Sequence, residues 1–280
     1  MGIKIVADST CDLSRDLTEK YGITIVPLSI IMGDESFYDG ESITPEGIFK
    51  WADEHKTTPK TSAVSQERAE AVLRPMMEAG DDIIFFGISG HMSSTCNVAA
   101  VVGADYDKLH VIDSLNLSTG IGLQVLRAAE MARAGKSASE IADTINKDRD
   151  KVRASFVIDT LTYLSRGGRC SSVTALLANT LKLHPVIVVK DGKMDVAKKL
   201  RGNISHAVMN YVTSMEEELK QADPSRVFIT HSGCDAALVE EVRTYLKSLG
   251  HFAEVLETRA GGVISSHCGP NTLGVLFYTK

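Results

Sequence analysis

Polar, hydroxyl-rich turns follow apolar runs in the first half of the sequence: Asp8-Ser9-Thr10, Thr61-Ser62-Ala63-Val64-Ser65, the stretch Ser89-Gly90-His91-Met92-Ser93-Ser94-Thr95, and Asp113-Ser114 with Ser118-Thr119-Gly120. Ser93 and Ser94 stand just before a helical pattern, where a hydroxyl and free backbone N–H groups can meet an anionic group. Any one such residue is most often a plain helix cap; several turns at one sheet edge weigh more as a set. Near the C-terminus, Gly261-Gly262-Val263-Ile264-Ser265-Ser266-His267-Cys268-Gly269-Pro270-Asn271 places a single histidine between glycines that allow tight turns and close ligand approach. Arg169 follows Arg166-Gly167-Gly168, and Arg201 follows Lys198-Lys199-Leu200. Both arginines suit surface salt bridges or a basic docking patch for an acidic partner or a phosphate.

Other chemistries find less support. The loop after Ile88 holds one glycine, and no GxGxxG or GxxxxGK[ST] occurs at a strand–helix junction. Gly90-His91-Met92-Ser93-Ser94 echoes the serine-hydrolase GxSxG but lacks its last glycine. His231 with Cys234, and His267 with Cys268, are too sparse for a metal centre.

The elements that would position these residues alternate. Ile3–Ala7 reads as a strand, and so does Ile23–Ile31, with Pro27 marking an edge or bend. A turn falls at Tyr38-Asp39-Gly40. Thr44-Pro45-Glu46 opens a helix with a hydroxyl cap, a proline in the first turn and an acid near the positive end. A helix from Ser65 to about Glu78 leads to Ile83–Ile88, an apolar run typical of a strand buried on both faces. Helix Thr95–Ala104, strand Leu109–Ile112, and helices from about Ser118 to Ala134 and Ser139 to Val152 continue the alternation that marks a parallel sheet covered by helices. In such a sheet the polar turns gather beyond the carboxyl ends of the strands, where open α/β sheets place ligands.

The pattern changes near residue 152. Strand Ser155–Ile158 and an apolar helix Val173–Leu183 precede two runs flanking Asp191-Gly192, a hairpin signal. Leu238, Val239, Val242, Tyr245, Leu246 and Leu249 share a helix face, with strands at Val227–Thr230, Ala253–Leu256 and Gly274–Tyr278. The expected fold class is α/β in two domains: residues 1–152 with a three-layer parallel sheet, and residues 153–280 with a mixed sheet. A chain of 280 residues is comfortable for two such units.

A net charge of −6 with mixed signs argues against general nucleic-acid binding. No apolar run approaches the roughly 20 residues of a membrane span, and the N-terminus runs straight into a strand pattern, so a cytoplasmic location is expected. Cys11, Cys96, Cys170, Cys234 and Cys268 are scattered and form no CxxC pair, which suits neither a disulfide framework nor a zinc knuckle.

Asp8-Ser9-Thr10-Cys11-Asp12-Leu13 opens the chain; Tyr38-Asp39-Gly40 is one residue shorter than Y-x-D-G. Thr61-Ser62-Ala63-Val64-Ser65 stands for T-S-Q-P-S, Ser93-Ser94-Thr95-Cys96 for S-G-T-Y, Arg166-Gly167-Gly168-Arg169 for G-G-R, and His267-Cys268-Gly269-Pro270-Asn271 for H-x-G-P-G. In that order, over essentially the whole length, these motifs resemble the DegV family, whose members include the fatty-acid-binding subunits of bacterial fatty acid kinase. The resemblance implies one long-chain fatty acid in a tunnel between two domains, its carboxyl group met by Thr61, Ser93 and His267, with Ser62, Ser94, Thr95 and Gly269 in the same binding motifs. It further implies that a separate kinase protein supplies ATP and forms the acyl phosphate, feeding phospholipid synthesis, with Arg169 and Arg201 helping to engage that kinase. On this reading the chain has no catalytic residue, metal or cofactor of its own, and it touches a membrane surface only transiently for lipid exchange. The alternatives are an acyl hydrolase using Ser93 or His267, and a binder of another hydrophobic carboxylate. Ala63-Val64, Ser94 and Asn271 depart from the family pattern, so a differently shaped carboxyl-binding loop is expected; Asn tolerates left-handed backbone better than Ser.

Overall fold

The computed structural model describes residues 2–174, 176 and 183–280. The first half contains β1 (Ile3–Asp8), α1 (Arg15–Tyr21), β2 (Ile23–Val26), β3 (Ser29–Met32), β4 (Glu35–Tyr38), α2 (Pro45–His55), β5 (Lys60–Ser62), α3 (Gln66–Glu78), β6 (Asp82–Gly87), α4 (Thr95–Val102), β7 (Leu109–Asp113), α5 (Thr119–Arg133) and α6 (Ala138–Asp148). The second contains β8 (Val152–Val157), α7 (Leu161–Gly167), α8 (Ser171–Thr174), β9 (Leu183–Lys190), β10 (Lys193–Arg201), α9 (Ile204–Thr213), α10 (Glu216–Gln221), β11 (Ala222–Ser232), α11 (Ala236–Ser248), β12 (Glu254–Arg259), α12 (Gly262–Cys268) and β13 (Thr272–Thr279).

The parallel sheet has the order β2-β1-β6-β7. One face packs Val6, Ile83 and Phe85 on Ala69 and Leu73 of α3 and Ala99 of α4. The other packs Ile5, Ala7, Ile84 and Phe86 on α5 and α6. This is the expected α/β/α layering, and the burial of both faces explains the unbroken apolar run of β6.

The mixed sheet has the order β10-β9-β8-β13-β11-β12, antiparallel except for the β11–β12 pair. Asp191 and Gly192 turn the β9–β10 hairpin with φ of 49° and 74°, the positive values that an Asp-Gly turn supplies. Helices α9 and α11 cover one face through Val208, Val212, Val239, Val242 and Leu246. The opposite face, with Phe156, Phe228 and Leu276, joins the core under the parallel sheet. Helix α5 lies between the two sheets, and its residues from Thr119 to Leu126 are all buried. A helix apolar nearly all round is what a position between two layers demands.

Several expectations need correction. The run Ile23–Ile31 is two strands in different sheets: the chain breaks at Pro27, which lacks an N–H for the ladder, and β3 pairs instead with β4 and β5 in a small antiparallel sheet. Of the helix expected over Val173–Leu183, Val173 lies in α8 and Leu183 already begins β9; residues 175, 177–182 lie outside the described residues. The glycine-flanked C-terminal stretch, where tight turns were expected around the histidine, contains helix α12, so His267 stands on a helix. No described helix is long and apolar enough to cross a membrane.

Candidate functional site

At the carboxyl ends of the parallel strands a cavity of about 510 Å3, its open mouth included, is lined by Thr61, Ser62 and Ala63 of β5 and its loop, Ile88, Met92 and Ser93 after β6, Leu117 before α5, Met194 of β10, Arg169 after α7, and Val263, Ile264, His267 and Cys268 of α12. Leu28 completes the wall. A second, inner cavity of about 340 Å3, its open side included, adjoins it between the two sheets and shares Leu117, Ile264 and Cys268. Its lining includes Ser118, Thr230, Ser232 and Thr272, yet the surface it presents is almost wholly apolar. The hydroxyls are taken up elsewhere. Ser118 donates to Asp12, Thr230 shares hydrogen bonds with Thr119 (2.6 Å) and Thr258 (3.1 Å), Ser232 pairs with Ser265 (3.0 Å), and Thr272 donates to the Cys268 carbonyl (3.0 Å). Satisfied hydroxyls leave their carbon atoms to form the wall.

The polar groups cluster at the outer end. Thr61 Oγ1 and His267 Nε2 share a hydrogen bond of 2.7 Å. Ser93 Oγ lies 3.0 Å from Thr95 Oγ1, and buried Thr95 Oγ1 also accepts from Val64 N–H at 3.4 Å, tying the Ser93 loop to the segment after Thr61. Burial, with the positive charge of Arg169 nearby, pushes the His267 pKa down to about 4, so the imidazole is neutral at physiological pH. Its Nδ1 is buried and has no hydrogen-bond partner among the described residues. The neighbouring Cys268 thiol is pushed up to about 12 by burial and is inert.

Two buried carboxylates, Asp12 and Asp39, anchor helix α12, and a third, Asp8, holds the turns after β1 and β6. Asp12 accepts from Gly261 N–H (2.8 Å) and Asp39 from Gly262 N–H (2.6 Å), so two acids from the first half occupy the helix's amino end, where N–H groups lack intrahelical partners. Ser9 donates to Asp39 at 2.8 Å, and Asp8 accepts from Thr10 N–H (3.0 Å) and Ile88 N–H (2.8 Å). Burial raises the pKa of all three, Asp8 to about 6. On the other side of His267, Gly167 ends α7 against the imidazole: a Cβ there would lie 2.2 Å from Nδ1. Gly168 then turns the chain with φ of 69°, which delivers Arg169 to the cavity mouth.

The sequence model of the DegV family matches residues 2–280. The chain belongs to the DegV family. A DegV domain-containing protein of Deinococcus radiodurans is 30% identical over 277 residues, covering 98% of each chain. Among solved structures, a fatty-acid-binding DegV family protein from Thermus thermophilus is 32% identical and superposes over 100% of both chains with a TM-score of 0.92. A stearic-acid-binding protein from Eubacterium ventriosum is 29% identical, with a TM-score of 0.86 over 100% of this chain and 99% of its own. DegV proteins thus bind fatty acids in their structures.

The DegV motif residues separate into those that line the cavities and those that hold the lining in place. Thr61, Ser62, Ser93, His267 and Arg169 line the outer cavity together. Ser94 is exposed at the start of α4 with φ of −88°, so the departure from glycine there carries no left-handed strain. Thr95 acts behind Ser93. Gly269 ends α12 at φ of 75° under Tyr163, where a Cβ would lie 2.8 Å from the ring. Asn271 adopts φ of 57° and donates through Nδ2 to Asp159 at 3.0 Å, so it fills the left-handed position of the replaced glycine with a hydrogen bond of its own. Arg201 ends edge strand β10, exposed and outside the cavity lining. Sequence reasoning assigned no role to the apolar lining, neither to Met92 and Ile264 inside quoted stretches nor to Leu117 and Met194 outside them, and it missed the anchoring role of Asp12 and Asp39. The acids did stand in quoted motifs, and for Asp12 the DxxxD spacing from Asp8 that ends an apolar strand was the available signal.

Proposed function

We propose that this chain binds a long-chain fatty acid in the two joined cavities and presents its carboxyl group to a separate kinase for acyl-phosphate formation. The observation that carries the reading is the division of the site: an outer cavity with Thr61, Ser93, His267 and Arg169, and an inner one whose hydroxyls are all turned away from the space. Stearic-acid binding by the Eubacterium ventriosum relative supports the ligand class. Each buried methylene contributes about 0.8 kcal/mol, so a chain of about sixteen carbons gains ~12 kcal/mol gross before ordering costs. The head group therefore needs orientation more than attraction. Hydroxyls and a neutral imidazole orient a carboxyl group without locking it into an arginine pair, which leaves an oxygen open to a phosphoryl donor. Arg169, exposed at the mouth, and Arg201, exposed on β10, are the docking residues for the kinase, and the cytoplasm is the compartment where ATP and kinase meet the carrier.

The geometry favours this reading over an acyl hydrolase. His267 bonds Thr61, Ser93 is paired with Thr95, and among the described residues no carboxylate orients Nδ1 of the imidazole. Solvent extraction of the purified protein with mass spectrometry tests the reading; co-purifying fatty acid at near-equal stoichiometry is expected. With a bacterial fatty acid kinase, Thr61→Ala and Ser93→Ala should lower phosphorylation more than lipid occupancy. An empty protein that cleaves acyl esters and loses that activity in Ser93→Ala would replace the carrier reading with the hydrolase.

A further inference from the structure

We propose that Asp12 is a positioning residue for acyl-chain selectivity, because its one carboxylate pins both walls of the waist between the two cavities. The inference rests on the lipid-binding reading above. Leu117, Ile264 and Cys268 border both cavities, so a chain passing from the outer to the inner one must pass between them. Leu117 comes from the segment between β7 and α5; Ile264 and Cys268 come from α12. Asp12 reaches both supports. One oxygen accepts from Ser118 Oγ, beside Leu117, and the other from Gly261 N–H at the start of α12.

The backbone shows that the Leu117 side is held rather than relaxed. Ser118 has φ of 52° and ψ of −144°, and Leu115 has φ of 50°, both in regions that non-glycine residues avoid. Such conformations cost roughly 1–3 kcal/mol each and persist only where surroundings impose them. At Ser118 the tie is the hydrogen bond to Asp12, made between two residues only 4% and 5% exposed, while Asp113 accepts from Leu115 N–H at 3.0 Å. A waist fixed on both sides has a set width and direction, and it discriminates acyl chains by shape at that depth. A waist released on one side adapts to either shape.

The test compares stearic, oleic and decanoic acids by competition binding to the delipidated full chain. Decanoic acid, the shortest of the three, makes the least demand on the waist. Ser118→Gly is the decisive variant, since glycine adopts the same backbone freely and only the tie is lost. It should change the ratio of stearic to oleic dissociation constants by about fivefold or more, with decanoic acid within about twofold of wild type. Asp12→Asn should move the ratio in the same direction. Leu117→Phe, which narrows the waist directly, should weaken stearic acid about tenfold while sparing decanoic acid. Should Asp12→Asn fail to fold, Ser118→Gly and Leu117→Phe still decide. Equal weakening of all three acids, or an unchanged stearic-to-oleic ratio in Ser118→Gly, overturns the role of Asp12 while leaving lipid binding intact. Wild-type protein that binds none of the three refutes lipid binding itself and this proposal with it.

Discussion

Gly167→Ala adds one carbon where the structure leaves no room for it. The new Cβ would stand 2.2 Å from Nδ1 and 3.1 Å from Cε1 of His267, and the ring cannot simply swing aside, because its Nε2 is bonded to Thr61 and its surroundings are packed. Overpacking of this kind costs about 1–3 kcal/mol. Replacing the last helical glycine of α7 by alanine returns up to about 1 kcal/mol of propensity. The net destabilisation should thus stay near 0–2 kcal/mol, readable by urea denaturation. The effect on the site should be larger in kind: relief of the clash moves the imidazole, and the Thr61 bond, worth about 1 kcal/mol, is lost with the alignment of the head-group site. Phosphorylation of bound fatty acid by an added kinase should fall at least tenfold, while lipid occupancy measured by mass spectrometry falls little. The second arm is the pair Gly167→Ala with His267→Ala. Removing the ring removes the clash, so the cost of adding the methyl should vanish in that background and leave a coupling energy of 1 kcal/mol or more, by the usual double-mutant arithmetic. If Gly167→Ala turns over at the wild-type rate, or costs the same with and without the His267 ring, the close approach does not position the histidine.

The pH dependence of stability separates His267 from the buried acids. Burial depresses the His267 pKa from 6.5 to about 4, so its contribution is present above 6.5 and is lost as pH falls through 4; removing it with His267→Gln should make the variant gain about 2.5 kcal/mol on wild type between about pH 7.5 and about pH 4.5, by chemical denaturation. Asp8 runs the other way: its pKa is raised from 3.8 to about 6, so its contribution is full below 3.8 and lost as pH rises through 6, and Asp8→Asn should forfeit about 2 kcal/mol of the stabilisation that wild type gains over the same acid titration. Asn271→Ala should cost roughly 1–2 kcal/mol for left-handed backbone plus the hydrogen bond to Asp159, whereas Asn271→Gly should lose only the latter; equal thermal shifts for the two would refute the conformational account. Phe85→Ala, fully buried between the parallel sheet and α3 and α4, should lower stability by about 3–5 kcal/mol without altering the stearic-to-oleic affinity ratio.

Much of the architecture was legible because it follows from local rules. The apolar run Ile83–Ile88 reads as a strand buried on both faces, Asp191-Gly192 as a hairpin, and Thr44-Pro45 and Ser65 as helix starts; the structure has all of them. What could not be read depends on distant partners. Helix α12 has seven residues, begins at a glycine with no side-chain cap of its own, and exists because Asp12 and Asp39, more than 200 residues away, accept its first N–H groups. No window of sequence contains that information. The strand Ile23–Ile31 failed for a related reason: periodicity cannot say that the residues beyond Pro27 pair with Lys60–Ser62 rather than with β1.

The same distinction explains why the site was half visible. Thr61, Ser93 and His267 announce themselves by type, since hydroxyls and an imidazole beside glycines are the groups that can meet a carboxyl. Asp12 and Asp39 are equally polar and stand in equally recognisable motifs, yet they never reach the cavity. Their carboxylates are spent on the backbone of α12 and on Ser118, and their burial raises their pKa values, the opposite of what a solvent-facing metal or cation site would show. A motif therefore mixes residues that touch a ligand with residues that fix the first kind in place. Only the direction of each side chain tells them apart. In this fold the second kind carries the burden of shape: one acid ties the strained Ser118 backbone and the start of α12 to the same turn, so the width of an otherwise apolar passage is set by a carboxyl group outside its lining.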